Sequence, residues 1–102
     1  MNTLRLGDEE YILRCDLNVI DKIERRFTSV DVCRKLAAAG AVGSAAAVKF
    51  LCAEMINEHF EAAGDAKRVT EEEVGRALGG NVVPVLTALF HELADCMATT
   101  GK

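Results

Sequence analysis

Residues 3–15 alternate between apolar and polar positions in a way that predicts two β-strands. Leu4 and Leu6 are separated by a polar residue, and the turn-forming stretch "GDEE" follows them. The alternation then resumes with Tyr11, Leu13 and Cys15, as expected for strands that bury one face. Because a two-stranded hairpin is marginally stable alone, we expect its apolar face to lie on helices.

From residue 16 onward, the spacing of the apolar residues changes from strand-like to helical. Asp16 or Asn18 is placed to cap a helix, because either side chain can accept bonds from free backbone N–H groups. Ile20, Ile23 and Phe27 follow at spacings of three and four residues, with charged residues between them. This pattern predicts an amphipathic helix that starts directly after the hairpin.

Two further helices are predicted in the middle of the chain. A short one follows Ser29 and ends near Gly40, and the longest helix starts at Ser44. Phe50 lies on the side of the long helix opposite its apolar face, among polar residues that include Asn57. The apolar face itself consists of Val48, Leu51, Cys52, Met55, Ile56 and His59. The polar stretch "EAAGDAKR" then predicts a loop.

The stretch "VTEEEVGRALGG" carries the clearest local signal in the chain. Thr70 and Glu73 have the spacing of a capping box, in which each side chain serves the backbone N–H of the other. Val69 and Val74 are placed to form the hydrophobic staple around that box. The closing glycine pair is expected to end the helix, because glycine readily adopts positive φ.

A last helix is predicted to be capped by Asn81 and to hold Pro84 in its first turn, where the missing N–H is harmless. Its predicted core face consists of Leu86, Leu89, Phe90, Leu93 and Met97. The combined pattern predicts an α+β fold that is mainly α, with an N-terminal two-stranded β-hairpin followed by about four to five packed helices.

The length of 102 residues predicts one domain, residues 1–102. We expect the hairpin to occupy residues 1–15, the helical part to occupy 16–98, and residues 99–102 to form a flexible tail. Leu, Ile, Val and Phe contribute 28 residues and Ala 15, which argues against disorder.

Composition also limits the function classes. The net charge is −4 and the lysines and arginines are scattered, so nucleic acid is not expected as a partner. No apolar run approaches the roughly 20 residues that a membrane span needs. Nothing near Met1 resembles a signal peptide. These features predict a cytoplasmic protein with no membrane partner.

The candidate chemistry is sparse. The four cysteines form no CxxC pair, so we expect buried, reduced thiols rather than a metal or redox motif. The histidines, His59 and His91, are not part of any recognisable catalytic motif. Cys52 and His59, like His91 and Cys96, lack the spacing of zinc ligands. We therefore expect no catalytic residues, no cofactor and no metal site, which predicts a protein that is not an enzyme.

A DNA-binding alternative rests on residues 70–97, which have the helix–turn–helix order of a small regulator. The second helix of such a unit reads bases with its early side chains, ideally Arg, Lys, Asn or Gln. Beyond Asn81, this helix begins with Val, Val, Pro, Val and Leu, which cannot read bases. Protein partners are the better hypothesis, and Phe50, Asn57 and Phe60 are the candidate partner-binding residues.

The order of these elements resembles one protein family. The stretches "LGDEEYILR", "DLNVIDKIERRF", "SVDV" and "VTEEEVGRAL" occur in sequence, and "IERRF" and "TEEEVG" are the most specific pieces. In this respect the chain is similar to the tail assembly chaperones of long-tailed (siphovirus-like) bacteriophages and prophages. The chain departs from the family pattern at Thr28, where a glycine often precedes the serine.

The resemblance implies a non-enzymatic protein of the bacterial host cytoplasm. Members of that family bind the long helical tape-measure protein and keep it soluble until tail-tube subunits polymerise around it. The resemblance also implies self-association, and it assigns Ile20, Ile23 and Phe27 to the core. The implied partners are therefore the tape-measure protein, the tail-tube protein and further copies of this chain.

Overall fold

The computed structural model describes residues 2–39, 42–79 and 83–100. Within these ranges, a two-stranded hairpin precedes five helices, which confirms the predicted α+β, mainly α fold. The elements are β1 (Thr3–Leu6), β2 (Glu9–Ile12), α1 (Leu17–Phe27), α2 (Val30–Ala39), α3 (Val42–Ala63), α4 (Glu71–Leu78) and α5 (Val83–Thr100). The last helix therefore includes residues 99 and 100 of the predicted tail. Residues 101 and 102, the predicted cap Asn81 and the predicted helix end Gly40 lie outside the described residues.

The hairpin is shorter than its pattern suggested. Its strands are antiparallel, with Leu4 opposite Tyr11, and a turn at Gly7 joins them with a φ of 62°. Such a positive φ favours glycine, which has no Cβ to clash with the backbone. Strand β2 ends at Ile12, so the predicted continuation of the strand to Cys15 is wrong. The Leu13 N–H still donates to the Asn2 carbonyl at 2.9 Å, but the Arg14 N–H donates to the Met55 carbonyl of α3 at 3.1 Å.

Helix α3 is the centre of the molecule, in contact with α1, α2, α4, α5 and β2. It begins at Val42, two residues before the predicted start. A helix surrounded by other elements needs apolar residues on most of its circumference. The buried residues of α3 accordingly go almost around the helix: Ala47, Val48, Phe50, Leu51, Cys52, Ala53, Met55 and Ile56. The apolar face of the hairpin adds Leu4, Leu6 and Leu13 to the same core.

The helix caps predicted at Asp16 and at Thr70 are present. The Asp16 side chain accepts from the Asn18 and Val19 N–H groups at 3.0 and 3.4 Å. Thr70 and Glu73 form the reciprocal capping box at the start of α4, and Gly79, with a φ of 62°, is its C-terminal cap. Helix α1, unlike α4, has no glycine at its C-terminal cap.

The C-terminal cap of α1 is Thr28, whose φ is +74°. A β-branched residue is strained there because its Cβ crowds the backbone at positive φ.

The core face of α5 is rotated slightly from the predicted one. Leu89 and Leu93 are buried as expected, together with Val85 and Cys96. Leu86 and Phe90 are only partly buried. The buried set has i, i+4, i+8, i+11 spacing, which directs one stripe toward α3 and β1.

Candidate functional site

Phe50, a predicted partner contact, is buried and only 6% exposed. Its ring packs edge-to-face on Phe27, with 5.5 Å between centroids. The guanidinium carbon of Arg26 lies 4.8 Å from the Phe50 centroid. The expectation that Phe50 is exposed is therefore wrong, because α1 covers the side of α3 that looked polar in the sequence.

The two most distinctive stretches of the sequence meet around this ring. Arg26, from "IERRF", pairs with Glu71, from "TEEEVG", at 2.8 Å between Nη1 and Oε2. The pair joins α1 to α4 across Phe50, so these stretches have a packing role. An arginine held by a carboxylate over an aromatic face also gains a cation–π contact.

The other two predicted partner residues lie further along α3. The Asn57 amide donates to the Val69 carbonyl at 2.8 Å, and its oxygen accepts from the Val69 N–H at 2.7 Å. Asn57 thus fixes the loop before α4. Phe60 is partly buried, with its ring 6.1 Å from that of Tyr11 in an edge-to-face contact. Phe50, Asn57 and Phe60 therefore do not form one open surface.

An open cavity of about 480 Å³ lies instead where the chain passes from the hairpin into α1, opposite the second half of α5. We call it the junction groove. It is lined by Cys15, Asp16, Leu17, Asn18, Glu92, Asp95 and Cys96. The lining combines an apolar surface formed by Cys15 and Cys96, which we call the floor, with the acidic side chains of Asp16, Glu92 and Asp95.

Glu92 holds the two sides of the junction groove together. Its Oε1 accepts from the backbone N–H and the side-chain amide of Asn2, at 3.4 and 3.0 Å. Its Oε2 accepts from the Cys15 N–H at 3.3 Å. One carboxylate of α5 therefore ties down both ends of the hairpin segment, which keeps the groove in a defined shape.

Leu17 is the most exposed large apolar side chain among the described residues, at 68%. It is the first residue of α1 and stands at the edge of the groove. Helical geometry places it about 160° around the axis from Val19 and about 120° from Ile23, the two buried residues of α1. The sequence pattern alone would not reveal this exposure, because Leu17 lies three residues before Ile20 of the predicted apolar stripe.

Asp16, on the acidic side of the groove, interacts with Glu58 of α3. Burial by itself would raise the pKa of Asp16, but hydrogen bonds with Glu58, Arg14 and the first amides of α1 hold that pKa below its ordinary value. Burial and the neighbouring Asp16 raise the pKa of Glu58. The ionised state of Asp16 is therefore favoured, and the groove keeps a negative edge.

Among its described residues, the groove holds no metal-binding cluster, and its Cys15 thiol has no lowered pKa. Within residues 2–39, 42–79 and 83–100, no group of three or more His, Cys, Asp and Glu is arranged to hold a metal ion. Burial raises the pKa of the Cys15 thiol above its ordinary value, which disfavours the reactive thiolate.

None of the helices, in the part of the chain that is described, has the length and apolar character to cross a membrane.

Comparison of the chain with protein-family models, with curated proteins and with solved structures finds no match.

Proposed function

We propose that this protein is a non-enzymatic phage tail assembly chaperone that binds an apolar helical segment of the tape-measure protein in the junction groove. The observation that carries the proposal is the exposed Leu17 beside an open groove with an apolar floor and an acidic edge. In this role it acts in the bacterial cytoplasm and keeps its partner soluble until tail-tube subunits cover it.

The shape and chemistry of the groove suit an amphipathic helix. A helix docks by placing side chains spaced three or four residues apart into an apolar groove. Leu17, Cys15 and Cys96 supply apolar contact, while the carboxylate of Asp16, which also pairs with Arg14, can attract basic residues of the incoming helix. Charge complementarity of this kind sets the orientation of the partner and speeds its association.

The test is co-expression with the tape-measure protein from the same genetic source, followed by centrifugation and pull-down. We expect the tape-measure protein to be soluble only when this chain is present, and to be retained with it. A tape-measure protein that is equally insoluble with and without this chain contradicts the proposal. Sedimentation of the purified chain over a range of concentrations tests the implied self-association separately.

The substitution Leu17→Ser tests whether the tape-measure protein binds in the junction groove. Complete burial of a leucine side chain is worth about 1.5–3 kcal/mol. Since Leu17 is 68% exposed in the free chain, about 1–2 kcal/mol remains to be gained on binding. Its loss weakens affinity roughly 5- to 30-fold.

Val32→Ser is the matched control, because Val32 is 42% exposed on α2 and is not among the residues that line the groove. We expect it to leave binding unchanged. Equal weakening by both substitutions would show that general surface hydrophobicity, not the groove, holds the partner.

The DNA-binding alternative gains no support from the described residues. Val85, near the start of α5, is 1% exposed, so this part of the helix faces the core. The first turn of α4 carries Glu71, Glu72 and Glu73, which repel phosphates. Retention on a DNA column at low salt would nevertheless favour that function over the chaperone.

A further inference from the structure

Two cysteines from distant parts of the sequence, Cys15 and Cys96, line the junction groove. Cys15 precedes α1 and Cys96 lies in α5, and the cavity between these two segments is lined by both side chains. Glu92 sets this arrangement, because it accepts from the Cys15 N–H and lies one helical turn before Cys96. The remaining cysteines, Cys33 and Cys52, are each 0% exposed in the core and do not line the groove.

We propose that Cys15 and Cys96 form a reversible intramolecular disulfide, made by exchange with a small organic disulfide that enters the junction groove. The cavity of about 480 Å³ gives such a molecule access to both sulfur atoms. Cys15 is the first to react, since it is half-buried whereas Cys96 is only 7% exposed.

The exchange takes two balanced steps. The Cys15 thiolate attacks one sulfur of the small disulfide, which forms a mixed disulfide and releases one thiolate. The Cys96 thiolate then attacks Sγ of Cys15, which closes the protein disulfide and releases the second thiolate. Two protein thiols are oxidised, one small disulfide is reduced to two thiols, and both protons pass to the released thiolates.

The surroundings make this exchange slow at neutral pH. Burial, the hydrogen bond to Cys96 and the negative charges of Glu92 and Asp16 all raise the pKa of the Cys15 thiol. Asp95 is a further carboxylate in the same groove. Since only the thiolate attacks, the reaction accelerates as the pH rises, and the reduced pair persists unless oxidant is abundant.

The bond would change the groove as well as the stability. It would fasten the start of α1 to α5 and cover the floor on which an incoming side chain would rest. A disulfide that closes a long loop strongly restricts the unfolded chain. We therefore expect oxidation to raise the thermal unfolding midpoint by about 10 °C or more, and reduction to reverse the shift.

The test treats the purified full chain with oxidised glutathione at mildly alkaline pH, blocks the remaining thiols and maps the peptides by mass spectrometry. We expect the free thiols to fall from four to two, with Cys15 joined to Cys96 in a monomeric chain. The map uses the unaltered protein, so it does not depend on any variant folding. The same treatment in urea, where all four thiols are exposed, should give mixed pairings.

Cys96→Ser provides a second measurement. Without the second thiol, the chain should stop at the mixed disulfide and retain one glutathione on Cys15. Four free thiols after treatment of the native protein would overturn the proposal. A bond that involves Cys33 or Cys52, or one that joins two chains, would overturn it equally.

Discussion

Replacement of Glu92 by alanine is expected to destabilise the protein by loosening the hairpin from α5. The carboxylate accepts three partly buried hydrogen bonds, two from Asn2 and one from Cys15, at 3.0–3.4 Å. A hydrogen bond to a charged group contributes about 1.5–3 kcal/mol, and less when it is long and partly solvated. Glu92→Ala should therefore lower the free energy of unfolding by about 2–4 kcal/mol.

Urea unfolding followed by circular dichroism measures this change. With a slope of about 1.5 kcal/mol per molar, in the range of small domains, the midpoint should fall by roughly 1.3–2.7 M. Glu92→Gln keeps one acceptor oxygen but places an NH₂ group against a donor, so its loss should be about half as large. Glu10→Gln removes the same charge from an exposed position and should change stability by less than about 0.5 kcal/mol.

Hydrogen exchange locates the effect within the molecule. The Cys15 amide should lose protection first, because Glu92 is its acceptor, while the amides of α3 should keep theirs until global unfolding. A Glu92→Ala protein within about 0.5 kcal/mol of the unaltered chain would refute the reasoning. So would a loss of equal size in Glu10→Gln, since charge alone would then explain both.

Three further predictions concern residues outside this contact. Thr28→Gly should stabilise the protein by about 0.5–2 kcal/mol in thermal unfolding, since it relieves a positive φ; an equal gain from Thr28→Ala would contradict this. Phe50→Ala should cost about 3–5 kcal/mol in urea unfolding because it removes a buried ring packed on Phe27, and a loss below about 1 kcal/mol would show that the ring is not part of the core. The raised pKa of Glu58 means that its ionisation costs stability as the pH rises through that pKa, so Glu58→Gln should raise the unfolding temperature at neutral pH but not near pH 3. The lowered pKa of Asp16 acts in the opposite sense, contributing stability that is lost as the pH falls; an equal effect of Glu58→Gln at both pH values would rule out the proposed coupling.

Local features of the fold were predictable because their causes lie within a few residues. The cap at Asp16 and the capping box at Thr70 and Glu73 depend on side chains that reach the backbone of the next turn. The hairpin needed only an alternating pattern and a glycine turn, although its second strand stopped at Ile12. That strand ends early because the Arg14 N–H finds its acceptor on α3, which no local pattern could indicate.

The candidate site was less predictable. Phe50 and Asn57 looked available for partners because both lie on the polar side of the long helix. In the fold, α1 covers Phe50, and the Asn57 amide is hydrogen-bonded to the backbone of Val69. The exposure of Leu17 was equally hidden, because Leu17 lies three residues before Ile20, a spacing that fits the apolar stripe predicted for α1.

The sequence by itself determined which residues of each helix share a face, where the caps lie, and that an apolar core would form. Only the tertiary structure decided which neighbour covers each face, and it therefore buried Phe50 under α1 and left Leu17 open. It also brought Cys15, Glu92 and Cys96 together in one groove. The physical reason is that the helical period fixes directions around one axis, whereas contacts between distant segments depend on how several axes pack at once.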